Sequence, residues 1–370
     1  MARLPDVDRT LRTVERIVSV PTAPYHEHRV MRAIAAELAA FGVEGELDAY
    51  GQLHARVQRG RAARPMALLA HTDHPAFDII SADGKVGRAR VLGGFYERLL
   101  RREVAVLVCD DTDAAPFRAR LDGYLQSVDV PHNSLGSCRI TAERPLRLGQ
   151  WAVVDLPGLK ARGDELHMRA ADDLALVAVV ILTLAALADD PRPHDVHAVF
   201  TRAEETGLYG ARLVAEDGLI PHEAVVVSLE ASRALATAVP GSGPVVRPGD
   251  LYNTFSNDGE RYLRVARERL AAQRIPTQRA LLTGGTCESS AFVRLGWTTT
   301  AIALPNVNYH NMTEEHDRFV PEVVRLSDLR AAVALLVEGA TAAGSDEDES
   351  WWPDVRTVTP DIRALMRRTD

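Results

Sequence analysis

The stretch PMALLAHTDHP, residues Pro65 to Pro75, decides how the rest of the chain is read. Met66 to Ala70 carry no polar side chain. In a strand that means cover on both faces, the pattern of a largely parallel sheet. His71 and Asp73 then stand two residues apart at the end of the buried run. In open α/β sheets the working residues collect beyond the carboxyl ends of the strands. A His-x-Asp pair in that place also suits a hydrogen-bonded structural unit, so its meaning depends on what the other strand ends carry.

Working outward, helix periodicity covers Asp8 to Val20 and His28 to Phe41, where Val30, Ile34 and Leu38 share a face and Gly42 supplies the stop. The alternating QLHARVQ, spanning Leu53 to Val57, precedes the Met66 strand. After Asp172 strands and helices alternate again: an apolar helix from Leu174, the strand HDVHAVF, a helix beginning near Gly207, the strand AVVVSL, a helix from Glu260 to Ala272, the strand TTTAIAL, and a helix from Leu326 to Ala340. That alternation predicts an α/β fold. Between Ala76 and Leu166 the pattern changes to short alternating runs, FDIISADGKVGRARVLGGF, REVAVLV, GQWAVVDL and the hairpin-like KARGDELHMR, with Gly and Asp-Gly turns and no helix pattern. A β-rich insertion therefore splits the α/β domain. The expected layout is 1–75 and 167–343 for the α/β domain, 76–166 for the insertion, and 344–370 for a solvated tail with its acidic SDEDES run, in which Trp351 and Trp352 are available to pack on the body or on another subunit.

Composition narrows the function. The 370 residues exceed what one core usually takes, and 46% hydrophobic with 25% charged residues is ordinary globular composition. A net charge of -8 argues against a nucleic-acid binder that works by phosphate neutralisation. Cys109, Cys138 and Cys287 have no metal-ligand spacing, and so few cysteines fit a reducing compartment. The N-terminal segment is charged throughout, without the apolar core of a signal peptide, which predicts a cytoplasmic protein. The apolar run from Leu174 to Ala188 is short of the ~20 residues that span a bilayer, so a core helix and no membrane association are expected.

The other strand ends are not bland. Glu204 and Glu205 follow HAVFTRA, Glu230 closes VVVSL, His310 follows AIALPNVNY, and Asp172 opens the apolar helix where the insertion returns. Each has an ordinary alternative: a Glu-Glu pair begins many exposed helices, and Asp172 and Asp173 could cap the Leu174 helix. Together they make two imidazoles and several carboxylates around one sheet edge. Oxygen and nitrogen donors without thiolate suit Zn²⁺, Co²⁺ or Mn²⁺, and a carboxylate shared by two ions is the usual core of a hydrolytic two-metal site.

These stretches resemble the glutamyl, or deblocking, aminopeptidases of the tetrahedral type, a branch of the co-catalytic zinc metallopeptidases. The likeness runs through VSVPTAPYHEHRV, DAYGQLHARV, AHTDH, VLGGF, ADDLALVAVVIL, TRAEETGLYGA, LLTGGTCESSA and NYHNM, of which AEETGLYGA is the most specific. The resemblance implies a zinc-exopeptidase-like α/β fold, with a mixed, mostly parallel sheet flanked by helices and a small inserted β-barrel. It implies two divalent ions per subunit, zinc first and cobalt or manganese as alternatives. His71 and Glu230 would hold one ion, Glu205 and His310 the other, and Asp172 both, followed by a cis peptide; Asp173 would be a support. Asp73 would orient His71, and Glu204 would be the general base acting on a metal-bridging water. Neighbouring residues of a regular strand point to opposite faces, so Glu204 and Glu205 can serve one site only where the strand breaks, which Gly207 permits.

The substrate implied is the N-terminus of a short peptide, and the assembly a homo-oligomer, from dimer to dodecamer, built through the barrel. The chain departs from the family's pattern at His74, where an acidic residue is usual, at Leu174 and Leu176, and at Cys287 and Glu288; Glu230 is a permitted variant of aspartate. His74 and GGTCES are expected at the rim of the substrate pocket, so side-chain preference does not carry over. Two other readings stand beside this one. One is an amidohydrolase, deacylase or carboxypeptidase acting on small N-acyl substrates, which an insertion placed directly after HTD disfavours. The other is a non-catalytic binding or assembly relative, which intact Glu204 disfavours.

Overall fold

In the computed structural model, residues 3–112, 114–126, 135–347 and 358–367 are described. Trp351 and Trp352, expected to pack on the body or on another subunit, lie outside them. Two helices open the chain, α1 (Val7–Val18) and α2 (His28–Ala40), followed by β1 (Gly45–Leu47), β2 (Leu53–Arg59) and β3 (Met66–His71). All six residues of β3 are buried, as the apolar run requires.

Directly after β3 come β4 (Ala76–Asp83), β5 (Val86–Leu92), a single helical turn α3 (Glu97–Leu100), β6 (Val104–Cys109), β7 (Phe117–Gln126), β8 (Gly136–Ala142) and β9 (Trp151–Val154). The six strands close into an antiparallel barrel in the order β4-β5-β8-β7-β6-β9. Its core is its own, formed by Phe77, Val91, Phe95, Val106, Leu121 and Ile140 among others. Turn α3 is the one helical element the sequence pattern missed there; four residues are too few to show a period. The hairpin of β10 (Leu159–Arg162) and β11 (Glu165–Met168) stands outside the barrel and pairs with β17 (Glu322–Arg325) in a three-stranded sheet.

The remaining elements are α4 (Leu174–Ala188), β12 (His194–Thr201), α5 (Tyr209–Glu216), β13 (Val225–Glu230), β14 (Val245–Arg247), α6 (Asn257–Ala272), β15 (Gln278–Arg279), α7 (Ser289–Arg294), β16 (Thr299–Ala303), α8 (Leu326–Gly344) and α9 (Pro360–Met366). The main sheet has the order β1-β2-β12-β3-β13-β16-β14-β15. Its centre, β12-β3-β13-β16, is parallel, and antiparallel pairs lie toward both edges. The fold is therefore the mixed α/β architecture with an inserted barrel that the sequence implies.

Helix α4 is buried at every position from Leu174 to Ala185 and packs against α8, α1 and β3, which explains a helix with no polar face. Among the described residues no helix is long and apolar enough to cross a membrane. The parallel centre matters most for function: β3, β12 and β13 end side by side, delivering His71, the Glu204 loop and Glu230 to one edge.

Candidate metal centre

His71 is the last residue of β3, and Glu230 the last of β13. Asp172 sits just ahead of α4, with a cis peptide to Asp173. His310 lies in a tight turn, Tyr309–Asn311; His310, Asn311 and the preceding Asn308 all have left-handed φ. The break that lets Glu204 and Glu205 face the same site begins one residue before them: Ala203 takes φ +52°, ahead of Gly207 at +135°. A non-glycine residue in that region is held there by its surroundings. Here the holder is buried Glu27, whose carboxylate accepts the Ala203 N–H at 2.9 Å and the Arg202 guanidinium at 2.7 Å.

The expected residues converge. His71, Asp172 and Glu230 offer ligand atoms within 4.8 Å of one another, as do Asp172, Glu205 and His310, so that Asp172 belongs to both sets. The Asp172 carboxylate lies 3.1 Å from His71 Nε2 through Oδ1 and 3.3 Å from His310 Nε2 through Oδ2. Glu205 Oε1 is also 3.3 Å from His310 Nε2. Each imidazole is oriented through its other nitrogen. His310 Nδ1 donates to the Gly94 carbonyl at 2.7 Å, and His71 Nδ1 lies 3.2 Å from the Asp73 carbonyl and 3.6 Å from its carboxylate. This leaves both Nε2 atoms facing the carboxylates. Asp73 does more than face His71: its two oxygens accept the peptide N–H groups of Glu204 and Glu205, each at 3.0 Å.

The donor set fits divalent cations. Asp172 Oδ2, Glu205 Oε1, Glu230 Oε2 and His310 Nε2 are buried without a hydrogen-bond partner, a combination that is costly unless something else satisfies them. The electrostatics agree. Burial pushes the carboxyls of Glu204 and Glu230 well above their usual range, and neighbouring carboxylates add to the shift. Burial also opposes charge on His71 and His310, but the carboxylates around them outweigh it and hold both imidazoles well above their ordinary value. For Asp172 burial works against ionisation, yet the same two histidines keep its carboxyl below the usual range. Cation binding replaces protons held in this way.

Some residues stand elsewhere than expected, and others were missed. His74 is 2% exposed, bonded to the Asp172 carbonyl and, at 3.0 Å, to Asn311, so it braces the site from beneath instead of rimming a pocket. Of GGTCES, Gly284, Gly285 and Thr286 line a cleft beside Glu230, while Cys287 and Glu288 are fully buried. Asp173 accepts the Ala231 N–H at 3.1 Å and supports the residue after Glu230. The sequence pattern does not reveal Glu322. From β17 it accepts the N–H groups of Ala171 (2.6 Å), Asp172 (3.0 Å) and His310 (2.8 Å) and the Asn306 amide (2.9 Å). Its one signal was a charge inside the apolar VPEVV.

A family model matches residues 139–335 and decides the matter. The chain belongs to the M42 glutamyl aminopeptidase family. It is therefore a metal-dependent aminopeptidase. No curated protein matches it in sequence. Among solved structures, an aminopeptidase from the archaeon Desulfurococcus kamchatkensis is 22% identical with a TM-score of 0.75, covering 92% of this chain and 96% of its own. The TET1 peptidase of Pyrococcus horikoshii, which assembles into a tetrahedron or a large octahedral shell, is 21% identical with a TM-score of 0.73, covering 90% and 99%. Yeast aminopeptidase 1 is 13% identical with a TM-score of 0.64, covering 92% and 98%. At these identities the structures share the fold.

Proposed function

We propose that this M42 aminopeptidase removes single residues from the free N-termini of short peptides with two divalent cations, zinc being the best match to the donor set and cobalt or manganese the alternatives. His71 and Glu230 would hold one ion, Glu205 and His310 the other, and Asp172 both. The observation that carries this reading is the pair of three-residue ligand sets sharing Asp172. When bound, such a pair polarises a scissile carbonyl and makes water acidic enough to attack near neutral pH.

The chain's own residues do the rest. Glu204 takes a proton from the attacking water and hands it to the departing amine. Asp73 fixes the position of Glu204 through the Glu204 peptide N–H. Asp73 also keeps His71 oriented, and Gly94 does the same for His310. We also propose a homo-oligomer, from dimer to dodecamer; supporting it are the shells named for the TET1 peptidase and the dodecamer described for a similar chain.

Metal analysis followed by an aminoacyl-anilide screen with added Zn²⁺, Co²⁺ or Mn²⁺ tests the reading. Glu204→Gln is expected to bind metal like the parent and lose hydrolysis by at least ~10²-fold. Equal rates in the two proteins remove Glu204 from the mechanism, and turnover of N-blocked substrates alone replaces the aminopeptidase with a deacylase.

A further inference from the structure

Helix α6 and the loop that carries it to β15 border a cavity of about 540 Å³ that the peptidase chemistry does not use. That volume suits a small organic ligand. Its wall on α6 is one face of the helix, since Arg264, Arg267, Glu268 and Ala271 recur at helical spacing. The loop supplies Arg274, Ile275, Pro276 and Thr277 on the other side. Three guanidiniums and one carboxylate therefore line a cavity in a chain whose net charge is -8.

The arginines of α6 are not equivalent. Arg261 pairs with Asp346 at 2.6 Å, Arg264 with Glu260 at 4.0 Å and Arg269 with Glu338 at 3.0 Å. Among the described residues no carboxylate lies within ion-pair distance of Arg267, whose guanidinium makes a single hydrogen bond, from Nε to Thr277 Oγ1 at 3.2 Å. Both of its Nη groups are left for another acceptor. Burial lowers this guanidinium from its ordinary value; Glu260 opposes the shift and Arg279 adds to it. A half-buried charge held in that way gains from an added anion. Arg274, exposed at the rim, has no carboxylate partner among the described residues either.

We propose that this cavity binds a nucleoside diphosphate. Arg267 and Arg274 take the phosphate oxygens, with Arg264 beside them, because the guanidinium fork matches phosphate geometry. Ala271, Ile275 and Pro276 give the apolar surface on which a base lies. The Glu268 carboxylate would repel a bare phosphate but accepts hydrogen bonds from ribose hydroxyls, as acidic residues do in dinucleotide sites. Inorganic pyrophosphate would use the guanidiniums alone, so the apolar half and the carboxylate favour the nucleoside. The cavity shares no residue with the candidate metal centre, and the proposal stands apart from the peptidase reading.

The test is calorimetric titration of the full metal-loaded chain, as parent, Arg267→Met and Arg274→Glu, with ADP, UDP, adenosine and inorganic pyrophosphate. Any of these that binds at the metals binds the variants as well, so the difference between parent and variant is what is read. The parent is expected to bind ADP or UDP, and each variant to bind it at least ~10-fold more weakly, the effect of losing a hydrogen bond to a charged group. Aminoacyl-anilide turnover should stay at the parent's level in both variants, since neither residue touches the metal centre. Neither nucleotide binding the parent, or both variants binding like the parent, overturns the site. Adenosine binding as tightly as ADP overturns the role of the guanidiniums, and pyrophosphate binding as tightly as ADP, with the same loss in the variants, overturns the nucleoside in favour of a bare phosphate site. Should Arg267→Met fail to fold, Arg274→Glu decides, because its side chain is exposed and parent-like affinity in it refutes the proposal equally.

Discussion

Glu322→Gln tests whether the centre is assembled by the carboxylate beneath it. Glu322 is fully buried, and its two oxygens take four donors: the N–H groups of Ala171 and Asp172 on Oε2, and the His310 N–H with the Asn306 amide on Oε1. Glutamine has the same shape but one acceptor, so two donors end up facing an NH₂ group. Hydrogen bonds to a charged group contribute ~1.5–3 kcal/mol each, so the gross loss is about 3–6 kcal/mol. Part of it is returned. Burial already pushes the Glu322 carboxyl above its usual range, and a neutral amide escapes that penalty. A net destabilisation of about 2–4 kcal/mol remains.

The assay is denaturant unfolding of the metal-free protein alongside metal binding by competition with a chelator. Asp172 and His310 both hang from N–H groups that Glu322 fixes, so affinity should fall ~10- to 100-fold, the usual effect of losing a residue that orients ligands. Asn306→Ala is the control, since it removes a donor to the same carboxylate without touching the backbone of either ligand. If Glu322→Gln keeps both stability and metal affinity within about twofold of the parent, Glu322 is a spectator and the account of how Asp172 is aimed is wrong.

Three further outcomes follow from the same geometry. A Cβ at Gly94 would stand 3.1 Å from both Cε1 and Nδ1 of His310, so Gly94→Ala should weaken metal binding, and metal stoichiometry with a melt will show whether the loss stays local. Burial pushes Glu288 from 4.5 up to about 7, so the folded metal-free chain keeps a proton that the unfolded chain has lost; its contribution, about 3 kcal/mol, is present below pH 4.5 and drains away as pH rises to 7. Glu288→Gln should therefore flatten the fall in stability between those limits, and an unchanged pH profile would contradict it. All three cysteines are buried, with burial raising the thiols of Cys109 and Cys138 to about 11 and Cys287 to about 12, so thiol reagents at pH 8 should label none before unfolding.

Much of this was legible in the sequence because the elements that matter are extreme. A strand with no polar residue, as in PMALLA, and a helix with no polar face, as from Leu174, leave few architectures open, and the candidate ligands at strand ends are visible as isolated charges after apolar runs. What stayed hidden was what strands do at long range. Nothing in GQWAVVDL says that it closes a barrel against FDIISAD, nor in KARGDELHMR that it pairs with PEVVR. Glu27 and Glu322 stayed hidden for a related reason: a carboxylate that accepts backbone N–H groups from distant segments has no spacing to betray it. The left-handed Ala203 was unreadable because its residue type disfavours that conformation, which only the bonds from Glu27 and Asp73 around it explain.

The inserted barrel reaches the two proposed ion positions unequally. His71 and Glu230 are ends of neighbouring strands of one sheet, and the packing that holds β3 beside β13 holds them too. His310 sits on an irregular turn whose imidazole is oriented by Gly94, from the segment between β5 and α3, and the ring of His74, between β3 and β4, bonds Asn311 beside it. Apart from the shared Asp172, the first candidate set is thus a property of the sheet, and His310 in the second belongs to the junction between sheet and barrel. Anything that shifts the barrel should therefore act first on the ion proposed for Glu205 and His310. A stepwise loss of metal to a chelator, with that proposed ion leaving first, is the consequence of this asymmetry. Simultaneous loss of both ions would mean that Asp172, shared between the sets, couples them more tightly than the barrel separates them.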